Sequence, residues 1–93
     1  MKREFTDLEL QAQILWYLYG KGAWGEDYKP FVPMIKRLSN IVMNNGRNIK
    51  KQTRNLVKLY FVQSMKQGRT ISLNHNFRLS IKQFINEQLG LDL

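Results

Sequence analysis

The 93-residue sequence contains no cysteine, and it has a single histidine and only seven acidic residues. The absence of cysteine excludes disulfides, a thiolate nucleophile and cysteine-based zinc or iron–sulfur sites. The one imidazole, that of His75, cannot by itself form a cluster of metal ligands. We therefore expect the chain to hold no metal ion and to need no cofactor.

Long apolar segments are also missing from the sequence. No uncharged apolar run approaches the roughly 18 residues of a membrane span, and residues 1–5 lack the apolar core of a signal peptide. We expect a cytoplasmic protein with no membrane partner. The length suits a single domain over residues 1–93.

Positive charge dominates the chain. Fifteen basic residues against seven acidic ones give a net charge of +8. No acidic residue lies between positions 28 and 86, whereas that stretch carries twelve cations: Lys29, Lys36, Arg37, Arg47, Lys50, Lys51, Arg54, Lys58, Lys66, Arg69, Arg78 and Lys82. Such cations repel one another, and a polyanion offsets that repulsion. The charge distribution therefore favours a polyanionic partner over a merely soluble basic protein.

The first predicted helix covers about residues 6–19. Thr6 and Glu9 have the spacing of a capping box, and Gly20 can take the left-handed position that ends a helix. The apolar residues of this segment form two stripes, and a helix of that kind is usually buried on two sides. We expect the second side to face either the domain's own core or another subunit.

A second helix is predicted over about residues 31–43, after a Gly-containing connector that has room for only a token strand. Pro30 and Pro33 fit its first turn, where the amides have no partner within the helix. The Asn44-Asn45-Gly46 segment should end it.

The third helix, over about residues 48–60 with Asn48 as a possible N-cap, has a clear amphipathic pattern. Its apolar face is predicted to contain Ile49, Thr53, Leu56, Val57 and Tyr60. On a helical wheel, five cations fall within an arc of roughly 100° on the opposite side: Arg47, Lys50, Lys51, Arg54 and Lys58. No anion stands at i±4 to pair them, although solvent-facing helices generally mix both signs. This pattern predicts one face toward a core and a five-cation face toward a partner.

After the third helix, the apolar period changes from 3.6 to 2, which predicts a β-hairpin over residues 61–74. Residues 66–69 should form its turn, with Gly68 free to take a positive φ. Lys66 and Arg69 then place a cation at each corner of the tip.

The second strand of this hairpin alternates strictly, so Ile71 and Leu73 should point inward and Ser72 outward. A last helix is predicted over about residues 77–89, and Gly90 should stop it.

Three helices, a hairpin with a basic tip and a closing helix are, in this order, the elements of a winged helix-turn-helix domain. Asn48 to Asn74 carries the resemblance most specifically, as an amphipathic helix followed by a Gly-tipped hairpin. Over about residues 6–89 the chain resembles small transcription regulators of this superfamily. The resemblance implies a mainly helical α+β fold of order α-α-α-β-β-α, with a recognition helix at about 48–60 and a wing at about 61–74.

In this superfamily the third helix lies in the DNA major groove and reads base edges from its N-terminal half. Arg and Lys suit O6 and N7 of guanine, whereas Asn and Gln suit N6 and N7 of adenine. Arg54 is the favoured residue, because it lies nearest the middle of the exposed face. Carried onto this sequence, the candidates for base contact are Asn48, Lys51, Gln52, Arg54 and Asn55.

A second group of side chains is expected on phosphates, which position a protein without reading sequence. The wing residues should reach the flanking backbone or the minor groove, and the residues of the second helix have a solvated role as an alternative. The candidates are Arg47, Lys50 and Lys58 on the third helix, Lys66 and Arg69 in the wing, and Lys36 and Arg37 in the second helix.

The resemblance thus implies a double-stranded DNA-binding transcription regulator that is not an enzyme, nucleoid-associated if its source is prokaryotic or viral. One such domain reads only a short half-site, so we expect a homodimer. The first helix, together with Leu79, Leu89, Leu91 and Leu93, supplies candidate dimer surface. Alternatively, these residues complete the core of one monomer.

Other functions have less support. Catalysis is disfavoured because no carboxylate pair is expected at a cleft, and His75 should bond a nearby backbone group. RNA binding is disfavoured because the strands carry no aromatic pair for stacking. Trp16, Trp24, Tyr28 and Phe31 are candidates for a ligand pocket, although aromatics at this spacing more often build a core. The main alternative is a winged helix that makes protein–protein contacts in a larger nucleic-acid-processing complex.

Overall fold

A computed structural model describes residues 4–42 and 46–93 of the chain. Its helices and strands are, in order, α1 (Asp7–Gly20), β1 (Lys29–Pro30), α2 (Phe31–Ser39), α3 (Arg47–Lys58), β2 (Val62–Met65), β3 (Thr70–Leu73) and α4 (Arg78–Leu89), with a 3-10 turn at His75–Phe77. The described part of the chain thus contains four α-helices and a three-stranded antiparallel sheet of order β1-β3-β2. The predicted α+β class is confirmed.

The capping box predicted for α1 is present. The Thr6 amide donates to Oε1 of Glu9 over 3.0 Å, and the Glu9 amide donates to Oγ1 of Thr6 over 3.1 Å. At the other end, Gly20 is the last helical residue and not the left-handed one. Gly22, with φ of 65°, takes the left-handed position instead, because Lys21 continues the αR conformation as the C-cap.

Most of the apolar side chains of α1 are buried within this one domain. Leu10, Ile14, Leu15 and Leu18 are fully buried, and α1 contacts α2, α3, α4 and β3. Full burial of such a side chain contributes roughly 1.5–3 kcal/mol to the free energy of unfolding. Helix α1 is the centre of the core because the other three helices and β3 pack against it. The domain's own core therefore accounts for most of both stripes, whereas Leu8 and Trp16 are 49% and 37% exposed.

Helix α2 starts at Phe31, directly after β1, but ends at Ser39 and is shorter than predicted. The amide of Ile41 donates to the Leu38 carbonyl, three residues back, so α-helical geometry has already given way to a turn. Val42 still packs into the core from this turn, which explains why the apolar period continues past the helix. The predicted end at residue 43 and the Asn44-Asn45 break lie outside the described residues.

Helix α3 begins at Arg47, and its N-cap is Gly46, with φ of 81°. Asn48 is therefore a residue of the first turn and not the N-cap. Gly46 also marks a close approach of two helices. A Cβ there would lie 2.9 Å from Cγ2 of Ile35 and 3.2 Å from Oγ of Ser39, both in α2.

At its other end, α3 stops at Lys58, earlier than the predicted residue 60. The amides of Tyr60 and Phe61 donate to the carbonyls of Val57 and Leu56 respectively. This is a Schellman arrangement, with Tyr60 at the left-handed position, φ 65°. The prediction of Tyr60 on the apolar face is wrong, since the reversal of the chain leaves its side chain 68% exposed.

Strands β2 and β3 pair antiparallel over their full lengths, which confirms the predicted hairpin. Ile71 and Leu73 are buried as predicted. Ser72 is also fully buried, contrary to the prediction that it points outward. Its hydroxyl donates to the Gly25 carbonyl over 2.6 Å, because the α1–β1 connector covers that face of the central strand.

The strand before α2 has only two residues, but it joins the sheet, so the order of elements is α-β-α-α-β-β-α and not the predicted α-α-α-β-β-α. Lys29 and Pro30 pair with Ile71 and Thr70 on the free edge of β3. The Phe31 amide donates to the Arg69 carbonyl over 2.9 Å, so this pairing ties the start of α2 to the hairpin.

Helix α4 closes the domain against α1. Ile81 and Ile85 are fully buried, and the ring of Phe77 lies 5.9 Å from that of Phe61. The helix ends at Leu89, and Gly90 follows as its C-cap with φ of 68°, which confirms the predicted stop.

Candidate nucleic-acid interface

The five-cation face of α3 (residues 47, 50, 51, 54 and 58) is exposed along its whole length, as predicted. Ile49, Thr53 and Leu56, on the opposite side, are buried. Among the described residues, none of the five cations pairs with a carboxylate; the ion pair found there joins Lys29 to Asp27 at 3.2 Å. The first turn of α3 has no acidic residue of its own, but the Asp7 carboxylate of α1 accepts a hydrogen bond from Asn48 in that turn and lies beside the positive end of the helix dipole.

A cleft of about 970 Å³ lies between α3, the start of α2 and the hairpin turn. Its polar lining includes Lys50, Arg54 and Lys58 from α3, and Ser64, Gln67 and Arg69 from the hairpin. Apolar groups complete it, mainly Phe31, Val32, Ile35, Val57 and Ile71. These lining residues, all in the described part of the chain, include no acid. The fold thus combines cations from two distant segments in one groove.

Not every predicted contact belongs to this cleft. Arg37 lines a separate depression of about 470 Å³, together with Trp16 and Lys21. That depression is at the C-terminal ends of α1 and α2, where the helix dipoles disfavour an anion. The predicted contacts that are exposed but do not line the cleft are Arg47, Lys51, Lys66, Lys36 and Arg37.

The hairpin tip is a tight turn with left-handed central residues. The Gly68 amide donates to the Met65 carbonyl over 3.1 Å, and Lys66 and Gln67 between them have φ of 53° and 59°. A non-glycine residue in this left-handed conformation costs roughly 1–2 kcal/mol. Gly68 has a positive φ as predicted, but two long polar side chains share that conformation and are exposed at the tip.

The amide side chains of α3 differ sharply in accessibility. Gln52 is only 1% exposed, so its burial is incompatible with the base contact predicted for it. It lies on the side of α3 that packs against α1, where Nε2 of Gln11 donates to its Oε1 over 2.8 Å. Asn48 and Asn55 are half-buried. Lys51 and Arg54 remain exposed and are the accessible long side chains among the base-contact candidates.

His75 has a packing role. Its ring is stacked on the ring of Trp24 with centroids 5.8 Å apart. The guanidinium of Arg78 lies 4.9 Å from the centroid of the Trp24 ring. The expected hydrogen bond from its side chain to a backbone group is not found among the described residues. Trp24 is therefore committed to packing, while Phe31 lines the cleft and Trp16 the separate depression. These three aromatic side chains thus lie in different places in the described part of the chain.

In the part of the chain that the structure describes, no three metal-binding side chains come together. Within the same residues, no helix combines the length and apolar character needed to cross a membrane.

Three contributions to the site were not foreseen. Gln67 lines the cleft from the hairpin tip; its position between Lys66 and Gly68 in the turn was the available signal. Phe31 and Val32 line the cleft because β1 pairs with β3, and no local sequence pattern predicts that pairing. Gln11 of α1 hydrogen-bonds to Gln52 of α3. The sequence signal for this contact was a polar residue among the apolar residues of α1.

No protein-family model matches the chain, and neither the curated proteins nor the solved structures include a match to it.

Proposed function

We propose that the protein binds double-stranded DNA as a winged-helix transcription regulator. In this proposal α3 lies in the major groove and the β2–β3 turn contacts the flanking backbone or the minor groove. The observation that carries the proposal is the acid-free cleft in which Lys50, Arg54 and Lys58 meet Arg69 of the hairpin. The phosphates of a DNA duplex form a regular array of negative charge that would neutralise these unpaired cations.

The order of elements supports the proposal of a winged-helix domain. The strand β1 stands immediately before α2, where the resemblance leads us to expect one, and it pairs beside the hairpin. The helix α3 is followed by the hairpin and then by α4. With this order, a recognition helix and a wing are neighbours across one groove.

The dimensions are also suitable. Twelve residues make α3 about 18 Å long, and the major groove is about 12 Å wide. The exposed cationic face therefore spans the groove, while the opposite face stays in the core. If about six cations contact phosphates, the logarithm of the affinity should fall with the logarithm of salt concentration with a slope near −5.

We also propose a homodimer, because a single recognition helix reads only a short half-site. The support now comes from the last helix and the chain beyond it. Leu79 is 81% exposed, and Leu91 and Leu93 are more than a third exposed. Sedimentation equilibrium at micromolar concentration should show a dimer, and a monomer would remove the argument for a palindromic site.

A charge-matched comparison tests the proposed interface. The cleft variant Arg54→Ala/Arg69→Ala removes two cations from the cleft, whereas the control Lys21→Ala/Lys82→Ala removes two cations from outside it. Binding of a 20-base-pair duplex is measured by fluorescence anisotropy across a salt series. We expect the cleft variant to reduce the magnitude of the salt slope by about two, and the control to leave it unchanged. Equal losses in both variants would show that only net charge matters and would contradict the proposed interface.

A further inference from the structure

A chain of hydrogen-bonded amides joins α1 to α3 beside the cationic face. Gln11 and Gln52, 6% and 1% exposed, form its buried part, with Nε2 of Gln11 donating to Oε1 of Gln52 over 2.8 Å. The chain continues outward, as Nε2 of Gln52 donates to Oδ1 of Asn48 over 3.0 Å and Nδ2 of Asn55 donates to Oε1 of Gln52 over 3.0 Å. Gln52 therefore holds two side chains that stand at the edge of the exposed face.

Packing alone does not account for these amides. Burying an amide is unfavourable unless its hydrogen bonds are replaced, and Oε1 of Gln11 is buried with no hydrogen-bond partner among the described residues. Two apolar side chains of similar shape would fill the same space without that penalty. A polar pair at this helix–helix contact thus costs stability, and its effect is to orient the half-buried amides that it touches.

In this orientation, one donor and one acceptor of the Asn55 side chain remain available to a partner. Nδ2 of Asn55 has one N–H bonded to Gln52, so its second N–H and its Oδ1 make no hydrogen bond with the described residues. One acceptor and one donor side by side match N6 and N7 of adenine. Asn48 is more fully engaged, because its Oδ1 accepts from Gln52 and its Nδ2 donates to Oδ1 of Asp7 over 3.1 Å.

We propose that Gln52 is a positioning residue that presents the free amide edge of Asn55 to DNA and thereby makes the protein prefer adenine at the base pair that Asn55 meets. This inference rests on the proposed duplex binding. It assigns Gln52 a role without contact to DNA, in place of the base contact that its burial prevents.

The test compares three variants with the wild-type chain. Gln11→Met/Gln52→Met replaces both buried amides by apolar side chains of similar shape, so the contact between α1 and α3 is kept. Gln11→Met alone leaves the bonds of Gln52 to Asn48 and Asn55 in place and is the control. Asn55→Ala removes the amide that is proposed to meet adenine.

Each protein is used to select sites from a duplex library with a randomised central segment, and Kd for random duplex is measured at the same salt. We expect wild type and Gln11→Met to enrich adenine at one position per half-site. Asn55→Ala and the double Met variant should lose that preference by about fivefold or more, with Kd for random duplex changed by no more than about twofold.

Two results would overturn the inference, and they differ from each other. If the double Met variant keeps the preference that Asn55→Ala loses, the positioning role of Gln52 is wrong while duplex binding stands. If wild type binds no duplex at all, the proposed function fails and the positioning role fails with it. In the free protein, the Asn55 side-chain amide should also exchange with solvent more slowly than in the double Met variant. Equal exchange would contradict the positioning role without reference to DNA.

Discussion

The side-chain amide of Asn74, at the end of the hairpin, donates a 2.9 Å hydrogen bond to the main-chain oxygen of Tyr60, where the chain leaves α3. Tyr60 has a φ of 65°, a conformation that costs a non-glycine residue roughly 1–2 kcal/mol. The bond from Asn74 helps to hold this conformation, and it connects the end of α3 to the end of the hairpin. The orientation of one element relative to the other therefore depends on this junction.

Replacing Tyr60 by glycine should raise the free energy of unfolding by about 1 kcal/mol, because glycine adopts the left-handed conformation without strain. The side chain is 68% exposed, so little packing is lost. Urea unfolding measures the change. Leu59→Gly is the control: Leu59 is 50% exposed with φ of −83°, so glycine there should destabilise the domain. A loss of stability in Tyr60→Gly would contradict the strained junction.

Replacing Gln67 by glycine at the hairpin tip should also raise the free energy of unfolding by about 1 kcal/mol, since glycine adopts the left-handed conformation of this position, φ 59°, without strain. If the tip contacts DNA, duplex affinity should not rise in parallel. Thermal unfolding and anisotropy on the same samples separate the two effects. Unchanged or lower stability would show that Gln67 carries no strain at the tip.

Replacing Gly46 by alanine should destabilise the domain by more than the conformational strain alone, because the new Cβ would lie 2.9 Å from Cγ2 of Ile35. Gly68→Ala is the matched control: its φ is 85°, and a Cβ there meets nothing within 4 Å. We expect about 1–2 kcal/mol for Gly68→Ala and a clearly larger loss for Gly46→Ala. Equal losses, measured by chemical unfolding, would mean that α2 yields to the added methyl group.

Replacing Arg54 by alanine should weaken binding to a selected site by about 1–3 kcal/mol and barely change stability, because the side chain is exposed on α3. The measurement compares the selected site with random duplex. An equal loss of affinity for the selected site and for random duplex would show that Arg54 contacts a phosphate and not a base.

Replacing Lys66 and Arg69 together should lower the magnitude of the salt slope by about one to two without altering the preferred sequence. Arg69 lines the cleft, whereas Lys66 is exposed at the tip outside it. The two single variants therefore separate a cleft contact from a tip contact. An unchanged slope in the double variant would mean that the hairpin does not touch the duplex.

The sequence predicted those features that follow from local rules. Thr6 and Glu9 have the spacing of a capping box and form one, and the alternation around Ile71 indicates the hairpin. The cations of α3 share a face because helical periodicity alone decides which side each takes. The candidate site depends largely on this periodicity, so most of its cations could be named in advance.

Features that depend on contacts between distant segments could not be read from local pattern. Gln52 is polar and near the cationic face, but it is buried against α1, where Gln11, far away in the chain, is its hydrogen-bond partner. Ser72 follows an outward register, yet the connector supplies the Gly25 carbonyl as its partner. Tyr60 continues the apolar period of α3, but the reversal held by Asn74 removes it from the helix. In each case a tertiary hydrogen bond outweighs the preference of the local sequence.

The central claim is that a cationic groove of this fold binds duplex DNA, and its most direct test is a salt titration. Anisotropy is measured with random duplex DNA, single-stranded DNA and duplex RNA, each across a series of salt concentrations. We predict preferential binding of duplex DNA with a log–log slope near −5. Weak binding to all three, with a shallow slope, would contradict the claim and favour a protein-contact role for the domain.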